Sequence, residues 1–178
     1  AFAAPVRYLV GDRPRSVAAA DLNNDTHLDL VTANRDTNNI SLLFGHGDGT
    51  FEPAQNLAAG VTPRMAAAVD LNGDAWLDLV TSNPGSSDLS VRIGLGGGAF
   101  ADETRVPLEG GLPTRFTVGD FNRDGDPDLA VLLFSAGEDG APLGLAAILL
   151  GDGAGGFTGP RIFATGVSCF DILAVDIN

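Results

Sequence analysis

An acidic nine-residue motif recurs along this chain, and its regular spacing limits the folds that the chain can adopt. Copies open at Asp21, Asp70 and Asp120, which are 49 and 50 residues apart, and a partial copy opens at Asp176, 56 residues further on. Phenylalanine and glycine landmarks keep the same register around each copy. Repeats of 40–50 residues that contain several short strands are typical of β-propeller blades.

One repeat contains four short segments that alternate or run apolar, and turn residues separate them. In the first repeat these segments are residues 16–20, 28–33, 40–44 and 51–57, with a glycine-rich hairpin between the last two. The first segment is rich in alanine, as expected for the crowded innermost strand of a blade. The sequence therefore predicts an all-β fold of four-stranded antiparallel blades, without helices.

The repeat also predicts how the chain is divided. We expect three complete blades and a stray strand at each end, in a fragment of a larger propeller. An incomplete ring exposes blade faces that normally pack on neighbours, so we also expect self-association. The expected blades are 12–60, 61–109 and 110–166, preceded by the last strand of another blade at 1–11 and followed by the first strand of the next at 167–178.

The acidic motif has the pattern D-x-N-x-D-x-x-x-D, which places oxygen-bearing side chains at positions 1, 3, 5 and 9. Calcium takes oxygen ligands from flexible loops of this kind. The alternative is an acidic turn that stays free of metal. The sequence favours about three Ca²⁺ ions, with these candidate ligands: Asp21, Asn23, Asp25 and Asp29; Asp70, Asn72, Asp74 and Asp78; Asp120, Asn122, Asp124 and Asp128.

The net charge of −13 over 178 residues argues against binding to nucleic acid or to anionic membranes, since both need a basic surface. No stretch reaches the roughly 20 apolar residues of a membrane-spanning helix. The N-terminal residues lack the basic and long apolar regions of a signal peptide, so any such signal is expected upstream.

These residues together resemble the FG-GAP repeat, in the variety called VCBS, which occurs in integrin α-subunit propellers and in many bacterial surface proteins. The resemblance rests on three in-register copies of a Pro-Arg or Pro-Thr-Arg start, a small apolar strand, the acidic motif, and a strand that ends in a glycine-rich turn and Phe. It implies a β-propeller, usually seven-bladed, with Ca²⁺ between the first and second strands of each blade. Position 7 would contribute only its backbone carbonyl, from His27, Trp76 and Asp126.

Position 6 of such a loop is often glycine because the chain turns sharply there. Only the third loop keeps it, as Gly125, whereas Thr26 and Ala75 replace it in the other two. We therefore expect the third loop to be the least strained and to bind Ca²⁺ most tightly.

The resemblance also implies a location and a function. It implies an extracellular or cell-surface scaffold for protein binding or adhesion, and the alternative is a carbohydrate-binding accessory module of a secreted enzyme. Partners would be proteins or glycans, bound through the loops opposite the calcium loops. We do not expect an enzyme, since no carboxylate pair or nucleophile site stands apart from the loops. His27 and His46 lack the spacing of a zinc site, and the glycines at 151–156 precede no helix.

Three features leave alternatives open. Trp76 either stacks on a sugar or covers its own loop. Arg15, Arg64 and Arg115 recur where the first strand begins, and they either cap nearby carbonyls and carboxylates or bind an anionic ligand. Seven extra residues between the second and third strands of the third repeat, within 134–144, are predicted to form a longer loop, through drift or for binding.

Overall fold

The computed structural model describes residues 4–137, 141–166 and 169–175, and within these ranges it contains strands and no helix. Consequently no described segment is a helix long and apolar enough to cross a membrane. The strands are β1 Pro14–Ala20, β2 Asp29–Asn34, β3 Asn39–Leu43, β4 Gln55–Ala58, β5 Met65–Val69, β6 Asp78–Asn83, β7 Asp88–Arg92, β8 Gly94–Gly96, β9 Ala99–Phe100, β10 Thr104–Pro107, β11 Leu112–Gly119, β12 Asp128–Ala136, β13 Pro142–Gly151 and β14 Phe157–Gly166.

These strands form three four-stranded antiparallel sheets, one for each acidic motif. Their strand orders are β1-β2-β3-β4, β5-β6-β7-β10 and β11-β12-β13-β14, and β8 pairs with β9 in a separate hairpin of the second repeat. Each sheet starts at one edge and proceeds strand by strand to the other, as a propeller-like blade does. The prediction of an all-β fold with four-stranded antiparallel blades is confirmed.

The second strand of each blade is largely buried, because neighbouring strands and blades cover it. In β6 all six residues are buried, and the first six residues of β12 are buried as well. Two groups of apolar side chains fill the spaces between blades. The first joins the first and second blades through Leu22, Val31, Ile40, Leu42, Ala66 and Leu79; the second joins the second and third blades through Leu71, Val80, Val91, Phe116, Leu129 and Val131.

The glycine-rich hairpins add a second kind of contact between blades. A Cβ atom placed on Gly98 would lie 2.6 Å from Cζ of Phe44 in the preceding blade, and one on Gly155 would overlap Ile93 in the same way. Gly49 occupies the equivalent position of the first blade, where a Cβ atom would meet nothing within 4 Å. The two later hairpins therefore need glycine for close approach, whereas the first does not.

The structure departs from the sequence prediction in three segments. We expect residues 4–11 and 169–175 to belong to the terminal strands 1–11 and 167–178, but neither described segment forms a strand. A strand needs a hydrogen-bonded neighbour, and no described strand pairs with these segments. The seven additional residues of the third repeat do not form only a loop, because they lengthen β12 and β13, which stay paired out to Ala136 and Pro142. Residues 138–140 lie outside the described residues.

We predict that Gly98→Ala destabilises the chain more than Gly49→Ala. Both glycines have a positive φ, +78° and +87°, so both alanines incur the cost of a left-handed conformation, about 1 kcal/mol. Only the alanine at 98 also collides with Phe44, which should add about 1–3 kcal/mol. Chemical denaturation of the two variants measures the difference, and equal losses of unfolding free energy would contradict the inter-blade contact.

Candidate functional site

Each acidic motif forms the loop between the innermost strand of a blade and the second strand. The loop is organised around the carboxylate at position 1, which accepts backbone N–H groups from positions 5 and 6. Asp21 accepts from Asp25 at 3.1 Å and from Thr26 at 2.8 Å. The other loops repeat this arrangement around Asp70 and Asp120, which also accept the N–H of position 4, at 2.6–3.3 Å. The loops thus share one backbone path despite their different sequences.

Positions 3 and 5 form a hydrogen-bonded pair beside the first carboxylate, and the carboxylate at position 5 is exposed. In the first loop, Asn23 Nδ2 donates to Asp25 Oδ2 at 3.0 Å, and the His27 N–H donates to Asp25 Oδ1 at 2.8 Å. The His27 amide and then the Asn23 side chain lower the pKa of Asp25. The amide of Asp126 and the side chain of Asn122 lower the pKa of Asp124 in the third loop. These carboxylates are therefore held in their charged form at the protein surface.

Position 9 is different, because its carboxylate is fully buried. Asp29, Asp78 and Asp128 each have 0 % exposure. One oxygen accepts the N–H of position 2, at 2.7–2.8 Å, and the other accepts the N–H of the glycine that opens the hairpin between the third and fourth strands, at 2.7–2.8 Å. Burial raises the pKa of Asp78 against the opposing effect of these hydrogen bonds. Position 9 therefore joins the acidic loop to the hairpin.

The hairpin glycines are site residues whose role the sequence analysis did not identify. Gly45, Gly94 and Gly151 each donate their N–H to the position 9 carboxylate of their own blade. A Cβ atom on any of them would overlap a backbone carbonyl oxygen at position 8 of the acidic loop. Their constant spacing from the next Phe was visible in the sequence. Only the strand pairing of the structure, however, shows that the hairpin contacts the acidic loop.

Position 7 side chains turn towards the same hairpin. A Cβ atom on Gly96 would lie 2.9 Å from the Trp76 ring. Cβ atoms on Gly47 and Gly153 would lie 2.4 and 2.8 Å from the side chains of His27 and Asp126. The half-buried Trp76 ring thus covers its own hairpin, in agreement with one of the two alternatives for this residue. Whether the three position 7 carbonyls bind metal stays a prediction.

The loops also carry backbone strain at position 6. Thr26 and Ala75 have φ values of 73° and 70°, in the left-handed region that favours glycine, and Gly125 has a φ of 96°. All three loops therefore adopt the left-handed conformation at position 6, and only the third loop has glycine there. The expected order of Ca²⁺ affinity stays a prediction.

The donor chemistry of each loop suits Ca²⁺, because carboxylate and amide oxygens converge on one turn. As arranged, however, the described residues contain no group of three or more His, Cys, Asp or Glu side chains that could hold a metal ion. The carboxylates at positions 1, 5 and 9 accept backbone amides instead, although a carboxylate has about four acceptor sites and can bind further partners. Calcium binding by these loops therefore stays a prediction.

Comparison with known families gives a match to the model described as FG-GAP-like repeat, over residues 21–81 and 70–131. Among solved structures, the chain is similar to a lectin from Agrocybe aegerita, whose structure is titled for specific recognition of non-reducing terminal N-acetylglucosamine. The TM-score is 0.48 at 18% sequence identity, and the alignment covers 83% of this chain and 51% of that one. The chain thus spans about half the length of that lectin. No curated protein matches.

We predict that Asp78→Asn destabilises the fold in the absence of Ca²⁺, whereas Asp74→Asn does not. An asparagine at position 78 places an amide N–H₂ against a backbone N–H donor, which should cost about 2–3 kcal/mol. Asp74 is exposed, so its replacement should change the free energy of unfolding by less than about 0.5 kcal/mol. Urea denaturation in EGTA measures both, and equal effects would exclude a separate structural role for position 9.

A reciprocal pair of substitutions tests the strain at position 6. Thr26→Gly should raise the free energy of unfolding by about 1 kcal/mol, and Gly125→Ala should lower it by about the same amount, because only glycine adopts this φ without cost. Thermal melts of both variants check the signs. A loss of stability in Thr26→Gly would show that its side chain contributes more than its strained backbone costs.

Proposed function

The chain belongs to the FG-GAP-like repeat family, and from this premise we propose that it is a non-catalytic binding scaffold whose blades are stabilised by calcium. The observation that carries the proposal is the threefold recurrence of one loop geometry. In each copy, a carboxylate at position 1 gathers the backbone amides of its loop and brings exposed oxygens at positions 3 and 5 beside it. Recurrence of the same exposed acidic geometry fits a common ligand.

Electrostatics gives the reason for a metal ion in this position. Three carboxylates on nine residues repel one another, and each loop exposes oxygens that its backbone does not fully satisfy. A divalent cation would replace that repulsion by attraction, and the free energy of binding would add to the free energy of folding. The side chains that would hold it are at positions 1, 3, 5 and 9, with the carbonyl of position 7.

The geometry of the blades supports different roles for the two ends of each blade. The acidic loops and the glycine-rich hairpins lie at one end, where Asp29 meets Gly45. The opposite end carries the turns between second and third strands, such as 35–38, and the connections between blades, such as 59–64. We propose that the metal end stabilises the blades and that the opposite end binds protein partners. Millimolar extracellular Ca²⁺ suits loops of modest affinity, so the proposed location is extracellular or at the cell surface.

A carbohydrate-binding role has weaker support. Sugar sites usually present an aromatic ring for stacking. The single Trp76 packs against its hairpin, and the single Tyr8 makes an edge-to-face contact with Phe51, with ring centroids 5.4 Å apart. Both side chains already have partners, so we favour protein binding.

We predict that saturating Ca²⁺ raises the melting temperature of the chain and that EGTA reverses the increase. At 100 times the dissociation constant, each site adds about 2.7 kcal/mol of stability. Asp25→Asn should remove the contribution of the first loop, whereas Arg161→Gln, on the outer strand β14, should leave it intact. A melting temperature that does not respond to Ca²⁺ would contradict the calcium part of the proposal.

A further inference from the structure

The chain carries ten basic residues, all arginine, against 23 acidic ones, yet four of the ten arginines line a single cavity. The cavity has a volume of about 580 Å³ and lies where the innermost strands of the three blades begin. Its arginines are Arg15, Arg35, Arg64 and Arg115, and no acidic residue lines it. The chain has a net charge of −13, so this locally positive cavity is where electrostatics most favours the binding of an anionic group.

The repeat itself brings the arginines together. Arg64 directly precedes the innermost strand β5, whereas Arg15 and Arg115 lie in the first half of β1 and β11. Arg35 comes from the turn after β2 of the first blade. The pairing of β1 with β2 shifts register between Pro14 and Ser16, so Arg15 occupies a bulge. A bulge at a strand end changes the direction of a side chain and is frequent beside binding sites.

Two of these four arginines have an acidic neighbour, and the other two have none in the described structure. Arg115 lies 3.9 Å from Asp171, and Arg35 lies 4.0 Å from Asp36. The side chains of Arg15 and Arg64 form neither an ion pair nor a hydrogen bond with any residue in the described ranges. The capping role, one of the two alternatives for these residues, therefore has no support at Arg15 and Arg64, and both guanidinium groups are free to bind a ligand.

A second cavity of about 280 Å³, lined partly by apolar side chains, adjoins the arginines. It shares Arg64, Pro84, Leu112 and Thr114 with the larger cavity and adds Phe134, Cys169 and Phe170. Phe170 is 80 % exposed and Phe134 is 45 % exposed, so this apolar surface is open to a partner. A matching ligand combines negative charge with an apolar group a few ångströms away.

We propose that these two cavities form a binding site for an acidic peptide segment, in which Asp or Glu side chains pair with Arg15 and Arg64 and a neighbouring Leu or Phe side chain enters the second cavity and packs on its phenylalanines. Guanidinium groups bind carboxylates through paired, charge-assisted hydrogen bonds. An acidic sugar supplies the charge but no apolar side chain, and the phosphate backbone of a nucleic acid would be repelled by the acidic remainder of the chain. This proposal rests on the proposed protein-binding role and names its partner class.

Fluorescence anisotropy with a short labelled peptide that alternates Glu or Asp with Leu or Phe tests the site. Arg15→Gln and Arg64→Gln should each weaken binding about tenfold, because each removes one charged pair. Arg161→Gln makes the same charge change outside the cavities and should leave affinity unchanged. An equal loss in all three variants, or no loss in Arg64→Gln, would overturn the proposal, since binding would then depend on net charge alone or not on this cavity.

Further probes separate the two parts of the site. Phe170→Ala should weaken binding of this peptide several-fold but leave an acidic peptide with Gly in place of Leu and Phe unaffected. A peptide with Gln and Asn in place of the acids should not bind. Tighter binding of oligogalacturonate than of the peptide would overturn the peptide assignment. A dimer of the unliganded chain that Arg64→Gln dissociates would also overturn it, because a second copy would then be the occupant.

The two proposals can fail separately. Peptide binding that is lost in Arg64→Gln, in a chain whose melting temperature does not respond to Ca²⁺, supports the peptide site and contradicts calcium stabilisation. A Ca²⁺-dependent melting temperature without peptide binding, in a chain of unchanged fold by circular dichroism, overturns only the peptide site.

Discussion

The buried carboxylate at position 9 of each loop is the interaction on which the rest of the blade depends. Asp29 accepts one N–H from Leu22 and another from Gly45, and so fixes the loop to the hairpin at the same end of the blade. The hydrogen bond from the Leu22 N–H also positions the Leu22 side chain, which packs in the core between the first and second blades. A single carboxyl group thus connects the loop, the hairpin and the packing between blades.

The second blade repeats this connection through Asp78 and Leu71, whose side chain packs in the core between the second and third blades. In the third blade, Phe121 also donates its amide to Asp128, but its side chain is 42 % exposed, because no described blade covers it. An ionised carboxylate is costly to bury unless hydrogen bonds satisfy it. Each blade meets that requirement with backbone amides, which a change of side chain cannot remove. This explains how positions 6 and 7 vary while the loop keeps its path.

The sequence predicted the features that depend on the repeat period, namely the strands of each blade. It did not predict the features that depend on contacts between distant residues. The four strands of each blade, their antiparallel order and the edge position of the first strand followed from hydrophobic pattern and turn residues. The pattern of acidic residues could not separate Asp25, which is exposed, from Asp29, which is buried, because both fit the same oxygen-ligand motif. Only the hairpin, 16 residues further on, makes that distinction. Likewise, an insertion of Gly, Pro and acidic residues has the composition of a loop. In the structure, however, β12 and β13 pair with each other further along the insertion and are longer as a result.

The polarity of the innermost strand explains why one repeat produces two sites of opposite charge. In each blade this strand starts near an arginine and ends at the first aspartate of the acidic loop, as from Arg15 to Asp21. At about 3.3 Å per residue, the two charges lie roughly 20 Å apart, which is more than twice the Debye length of about 8 Å at physiological ionic strength. They therefore cannot neutralise each other. The strand direction that collects carboxylates at one end of the blades collects guanidinium groups at the other, so a chain of strongly negative net charge still has a locally positive surface.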